Sequence, residues 1–121
     1  MPDARRRRGA EAEALAAAYL KRKGYQILAR NYRCRYGEID LIAIDQGTLV
    51  FVEVRAKSSL HFGTPQESVG YKKQQKLREV ARYYLANEWR RGSPCRFDVV
   101  AVQFDRESGE MKDLEHIENA F

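Results

Sequence analysis

A chain of 121 residues, 44% of them apolar, has the length and the apolar content for one domain built on one core. Twenty-two basic against 17 acidic residues leave a net charge of +5, which points to a polyanionic partner. No apolar run approaches the roughly 20 residues of a membrane span, and Glu11 and Glu13 interrupt the Ala-rich stretch after Arg8, unlike the apolar core of a signal peptide, so a cytoplasmic protein with no membrane partner is expected.

In chain order, Arg5-Arg6-Arg7-Arg8 precedes a predicted helix, where positive charge opposes the macrodipole, and residues 1–8 read as a mobile basic arm. The helix runs from about Gly9 to Lys23, with Ala12, Leu15, Ala16, Tyr19 and Leu20 on one stripe and Gly24 as the stop. Tyr25 to Tyr32 alternates as an edge-like strand, Arg33 to Tyr36 is a polar turn, and a hairpin of Glu38–Ile44 with Thr48–Arg55 follows. Lys57 to Ser68, with Gly63, Thr64 and Pro65, reads as a loop of functional length. A second helix spans about Val69 to Arg90, with Leu77, Val80, Ala81, Tyr84 and Leu85 as its core stripe and Lys72, Lys73 and Lys76 exposed in its first turns. After Gly92-Ser93-Pro94 come a two-sided apolar strand, Phe97–Phe104, and a short edge strand, Lys112–Ile117. The order α-β-β-β-α-β-β, with a right-handed helical crossover between the Glu53 and Phe97 strands, predicts an α/β domain over residues 1–121: a mixed sheet with one helix on each face.

The hairpin strands read as apolar on both faces, yet each carries an acid: Asp40 in Gly37-Glu38-Ile39-Asp40-Leu41-Ile42, and Glu53 in Val50-Phe51-Val52-Glu53-Val54-Arg55. An ionised acid in such a strand is costly unless paired or bound to a metal. If Asp45-Gln46-Gly47-Thr48 closes with a two- or four-residue loop, paired positions sum to 93 and Asp40 faces Glu53; a three-residue loop sends them to opposite faces. Opposed like charges destabilise a sheet, and a bridging divalent cation is the simplest remedy. Arg55 stands two residues beyond Glu53 on the same face, beside any anion the metal attracts. The alternative is structural: Asp40 bonds backbone at a strand end and Glu53 pairs with Arg55.

Acids on adjacent strands followed by a base suit metal-assisted hydrolysis of phosphodiesters, in which Mg²⁺ or Mn²⁺ on oxygen ligands polarises the phosphate and activates water. Asp40 and Glu53 fit as ligands. Arg55 replaces the lysine such sites often use and cannot exchange a proton near neutral pH, which brings in Lys57, two residues further along. The Lys72, Lys73, Lys76 cluster is a candidate grip on phosphate backbone. Other chemistries are poorly supported. His61 and His116 flank no nucleophile motif and read as ordinary surface or loop residues, no Gly-rich phosphate loop exists, and Tyr71, Tyr83, Tyr84 and Trp89 read as core or interface. Cys34 and Cys95, without a CxxC, read as free thiols. Asp98, in a buried-looking strand, is expected to bond backbone or the first helix.

Gly9-x-x-x-Glu13, Gly37-Glu38-Ile39-Asp40-Leu41-Ile42, Val50-Phe51-Val52-Glu53-Val54-Arg55, Phe62-Gly63, Lys73-Gln74-x-Lys76-Leu77, Arg96-Phe97-Asp98-Val99-Val100 and Asn119-Ala120-Phe121 together resemble the YraN-like family of uncharacterised bacterial proteins. The likeness covers nearly the whole chain after the Arg tract. That family is similar to archaeal Holliday-junction resolvases, which implies a restriction-endonuclease-like fold. It also implies a hydrolase, an endonuclease, acting on DNA, with Glu13, Asp40, Glu53 and the basic residue at 55 as active-site positions. Mg²⁺ or Mn²⁺ is the expected cofactor, with no small-molecule cofactor, and junction cutting would call for a symmetric homodimer. The rival expectation is a nucleic-acid-binding module of the same fold without cleavage, favoured by Arg55 in place of lysine.

Overall fold

The structure is a computed structural model and describes residues 4–57 and 69–121. Seven elements follow one another: α1 (Ala4–Arg22), β1 (Gln26–Cys34), β2 (Gly37–Asp45), β3 (Thr48–Lys57), α2 (Tyr71–Asn87), β4 (Cys95–Phe104) and β5 (Met111–Ile117). The strands form one sheet in the order β1-β2-β3-β4-β5. Only β3 and β4, joined through α2, are parallel; the other neighbours are antiparallel. This is the predicted α-β-β-β-α-β-β mixed sheet, although helix α1 starts at Ala4 rather than Gly9. Residues 4–8 of the tract expected as an arm are therefore helical.

Each helix covers one face. Ala12, Ala16, Ala17 and Leu20 of α1 are fully or nearly buried against Leu41, Ala43, Val50, Val52, Val100 and Val102. Three alanines on that stripe let the helix axis lie close to the sheet, and Gly24 in the left-handed region ends it. The Tyr25 amide bonds back to the Leu20 carbonyl at 3.0 Å, as in a Schellman turn. On the other face, Leu77, Val80, Ala81 and Tyr84 of α2 bury against Ile42, Leu49, Phe51, Phe97 and Val99. The alternation that sends Val50 and Val52 to α1 and Leu49 and Phe51 to α2 is the period-two rule of a strand buried on both sides. Tyr71 departs from the core reading: it is 74% exposed at the start of α2.

The β2–β3 hairpin turns through Gln46 and Gly47, with φ of 48° and 85°, the two positive values a type I′ turn requires. Its loop therefore has two residues, and Asp45 pairs with Thr48, Ala43 with Val50 and Leu41 with Val52, each summing to 93. Beyond Leu41 the strands part. Ile39 and Ile42, three residues apart, pack in the same α2-side core, so β2 swivels at Asp40 between them. Across on β1, the neighbouring residue Asn31 has a φ of 53°.

Candidate active site

Asp40 lies in the gap where β2 and β3 separate. Its Oδ2 accepts the Val54 amide at 2.8 Å, so a side chain takes the place of a ladder carbonyl and satisfies a donor the parting would orphan. Glu53 follows from β3, 5% exposed, and its carboxyl hydrogen-bonds that of Asp40. Asp40 thus bonds backbone, as the structural alternative expected, and it also meets Glu53. Burial, then the hydrogen bond and charge of Glu53, push the Asp40 carboxyl up to about 8.

Cations and a third acid close around this pair. Lys73 Nζ of α2 stands 2.6 Å from Glu53 Oε2, and the Arg55 guanidinium is 3.8 Å from the same oxygen. The buried Oε2 is ion-paired with both, and among the described residues it has no hydrogen-bond partner. Glu13 reaches in from α1, half-buried, and its carboxyl is bonded to the Asn31 side chain. Burial raises its pKa, Asn31 and Arg30 oppose the rise, and the Glu38 and Glu53 charges add to it. β3 persists through Lys57, which keeps it on the face of Glu53 and Arg55. Lys72, Lys73 and Lys76 line a cleft beside the site, facing Gly37 and Glu38. The segment 58–68, read as a functional loop with His61 and Phe62-Gly63, lies outside the described residues.

Two hard carboxylates side by side, one with an acceptor lacking a hydrogen bond, fit a divalent cation of the Mg²⁺ type. Such ions are commonly held by one or two carboxylates, with water and substrate phosphate completing the shell. Among the described residues no three His, Cys, Asp or Glu side chains converge on one metal position, so Glu13 is a neighbour of the pair rather than a third ligand.

A second polar cluster centres on Asp98, expected from the sequence to bond backbone or the first helix; it does bond backbone, at Asn119, while its side-chain partners were not legible. Asp98 is fully buried on β4 and accepts His116 Nε2 at 2.7 Å, the Asn119 amide at 2.9 Å and Arg96 Nε at 3.1 Å. Burial alone would raise its carboxyl, but these three donors together hold it below the usual range. Arg96 continues to the Tyr25 hydroxyl at 2.6 Å and to Asp45 at 3.5 Å, while the His116 ring is edge-on to Tyr19 and Tyr25. His116 is therefore a buried partner of Asp98, which corrects the surface or loop reading. The Ala120 amide bonds the Phe97 carbonyl and the Phe121 ring stacks on Phe97 at 5.1 Å. The Arg-Phe-Asp and Asn-Ala-Phe motifs thus fasten each other, with no part in the acid site. Cys34 and Cys95 are free thiols.

A mixed five-stranded sheet between two helices, with paired acids at the parting of central strands, defines a restriction-endonuclease-like domain. The chain belongs to the uncharacterised protein family UPF0102, whose sequence profile matches residues 12–102. It is 52% identical to a UPF0102 protein of Pelotomaculum thermopropionicum over 100% of both chains. It is 53% identical to one of Moorella thermoacetica over 97% of each, and 48% identical to one of Desulforamulus reducens over 93% of each. The YraN-like resemblance read from the motifs is borne out. Among the described residues no helix is long and apolar enough to cross a membrane.

Proposed function

We propose that this protein is a metal-dependent endonuclease acting on DNA, with Asp40 and Glu53 as ligands of Mg²⁺ or Mn²⁺. The observation that carries the reading is the contact between two shielded carboxylates in the gap of β2 and β3, a costly arrangement with no structural need for both acids. When bound, the metal supplies Lewis acidity toward the phosphate and toward an attacking water. The chain's own residues do the rest. Glu13, bonded to Asn31, adds negative charge behind the pair and holds the site attractive to cations. Arg55 offers a guanidinium to a phosphate oxygen and stabilises developing charge without exchanging a proton. Lys73, the lysine nearest Glu53, would stand beside a phosphate brought to the pair, in the position sequence reasoning gave to Arg55 or Lys57. Lys72 and Lys76 carry the backbone of the strand alongside. Symmetric cutting of branched DNA would use two copies of the chain.

The test is a cleavage assay with Mn²⁺ against single-stranded, duplex, flap and four-way-junction DNA. Strand breaks that vanish in Asp40→Asn and in Glu53→Gln are expected. Salt-sensitive DNA binding with no cleavage of any substrate would identify a non-catalytic binding module instead.

A further inference from the structure

The cleft next to the acids is larger and more apolar than a phosphate needs. It encloses about 430 Å³, within the roughly 300–1,000 Å³ of small-molecule sites. Leu77 and Val80 of α2 form its floor, Lys72, Lys73 and Lys76 one rim, and Gly37 and Glu38 at the start of β2 the facing wall. Lys73 is common to the cleft and to the carboxylate pair. Gly37 has a φ of +140°, a backbone conformation that L side chains rarely adopt, which is why glycine stands there; a Cβ at that position would only touch Val80 Cγ2 at 3.4 Å.

Two aromatic rings stand next in chain or helix spacing to residues of the lining. Tyr36, 40% exposed, precedes Gly37 and sits edge-on to Tyr83 with ring centres 6.0 Å apart. Tyr83 lies three residues beyond Val80, so Lys73, Lys76, Val80 and Tyr83 fall on one stripe of α2 at helical spacing. The Arg35 guanidinium lies over Tyr36 at 5.0 Å, and Glu38 is held by Arg33 Nε at 3.1 Å, which offsets the acid in the lining. Lysines on one rim of an apolar floor, with an exposed tyrosine next in chain to the facing wall, match a nucleotide whose phosphates meet lysine and whose base leaves water. A paired base cannot enter, because its faces are already stacked within the duplex.

We propose that this cleft binds an unpaired nucleotide of a DNA strand, between Tyr36 and the Lys73–Val80 face of α2, with the adjoining phosphate at Asp40 and Glu53. The inference rests on the nuclease reading for the position of the phosphate and adds the substrate class: DNA bearing a single-stranded arm. Specificity then comes from stacking rather than from reading base edges, so the site tolerates any base.

The experiment measures fluorescence anisotropy in EDTA for a single strand, a blunt duplex and the same duplex with an unpaired tail. Wild type is expected to bind the single strand and the tailed duplex about ten-fold more tightly than the blunt one. Tyr36→Ala should remove about five-fold or more of that preference while sparing blunt-duplex affinity, and Tyr36→Phe should retain it. Equal affinity for tailed and blunt DNA, or a Tyr36→Ala loss that is uniform across all three, overturns the inference. Cleavage is scored separately in Mn²⁺. A protein that prefers unpaired DNA but never cuts upholds this subsite and sinks the nuclease reading, whereas equal cutting and binding of blunt duplex does the reverse.

Discussion

Lys73 approaches Glu53 more closely than Arg55 does, at 2.6 Å against 3.8 Å, although Arg55 shares a strand with the acid and Lys73 comes from a helix twenty residues later. Among the described residues the lysine therefore supplies the nearest positive charge to the buried Glu53 carboxyl. A divalent cation held there, as proposed, would compete with it.

Replacing Lys73 with methionine should consequently lower metal-free stability by about 1–2 kcal/mol, a modest figure because the lysine is half-exposed and screened. The same variant should gain more melting temperature from Mn²⁺ than wild type does, since no ammonium competes for Glu53. Melts with and without Mn²⁺ decide it: an equal metal-induced rise in both proteins means Lys73 does not occupy the cation position.

Asp40 makes stability depend on pH in a particular direction. Its carboxyl, raised to about 8 in the fold from an ordinary value near 3.8, binds its proton more tightly when folded. The folded state is then favoured at low pH, and this advantage is lost progressively between about 4 and about 8 as the unfolded chain ionises first. Asp40→Asn keeps an acceptor for the Val54 amide without the charge. In EDTA it should be more stable than wild type at pH 9, by on the order of 2 kcal/mol, and closely matched to it near pH 4. Urea denaturation at the two pH values reads the difference, and a variant less stable at pH 9 would show that the charge is structural.

DNA affinity should fall steeply with salt, because each lysine on phosphate releases counterions. Lys76→Ala should flatten the slope of log K against log salt by about 0.9, and Lys72→Ala by a similar amount, if each contacts one phosphate. Affinity that is constant from low to physiological salt would instead assign the basic face of α2 to a protein partner.

The Asp98 cluster should behave as fastening. Asp98→Ala leaves His116 and Arg96 without their buried acceptor and should cost about 3–5 kcal/mol, with DNA affinity unchanged at temperatures where the variant is folded. Because Asp98 is held below the usual carboxylate range, its contribution is present at neutral pH and fades as acid protonates it, so acid unfolding should begin earlier around Asn119 and His116 than in α2, which packs on the opposite face of the sheet. Hydrogen exchange at mildly acid pH, resolved by segment, measures this order.

Much of this was legible in residue pattern. Asp40 and Glu53 stood out because acids interrupt runs that otherwise read as doubly buried strands, and the Gln46-Gly47 turn supplied the register that joins them. Lys73 was visible only as one of three helix lysines, because nothing local distinguishes the one that turns inward; that depends on how α2 sits over β3. His116 was misread for the same reason. Its partner Asp98 is eighteen residues away, and the donors that justify a buried aspartate come from a strand and a terminus that meet only in the folded sheet. The helical start at Ala4 shows local alanine and arginine propensity prevailing over the unfavourable dipole.

The two-residue β2–β3 turn carries one further implication, for tolerance to change. An exposed hairpin tip is ordinarily the safest place to splice in extra residues. Here its length acts as a gear tooth for the strand that follows. One added residue that is absorbed by the register, rather than bulging out of the turn, would present Val52 and Val54 to α2 and rotate Glu53 under α1, parting it from Asp40 and Lys73 with every side chain chemically intact. Substitutions at Gln46 should be mild by comparison, so an insertion scan across 45–48 would find the protein more sensitive to length than to the side chain at position 46.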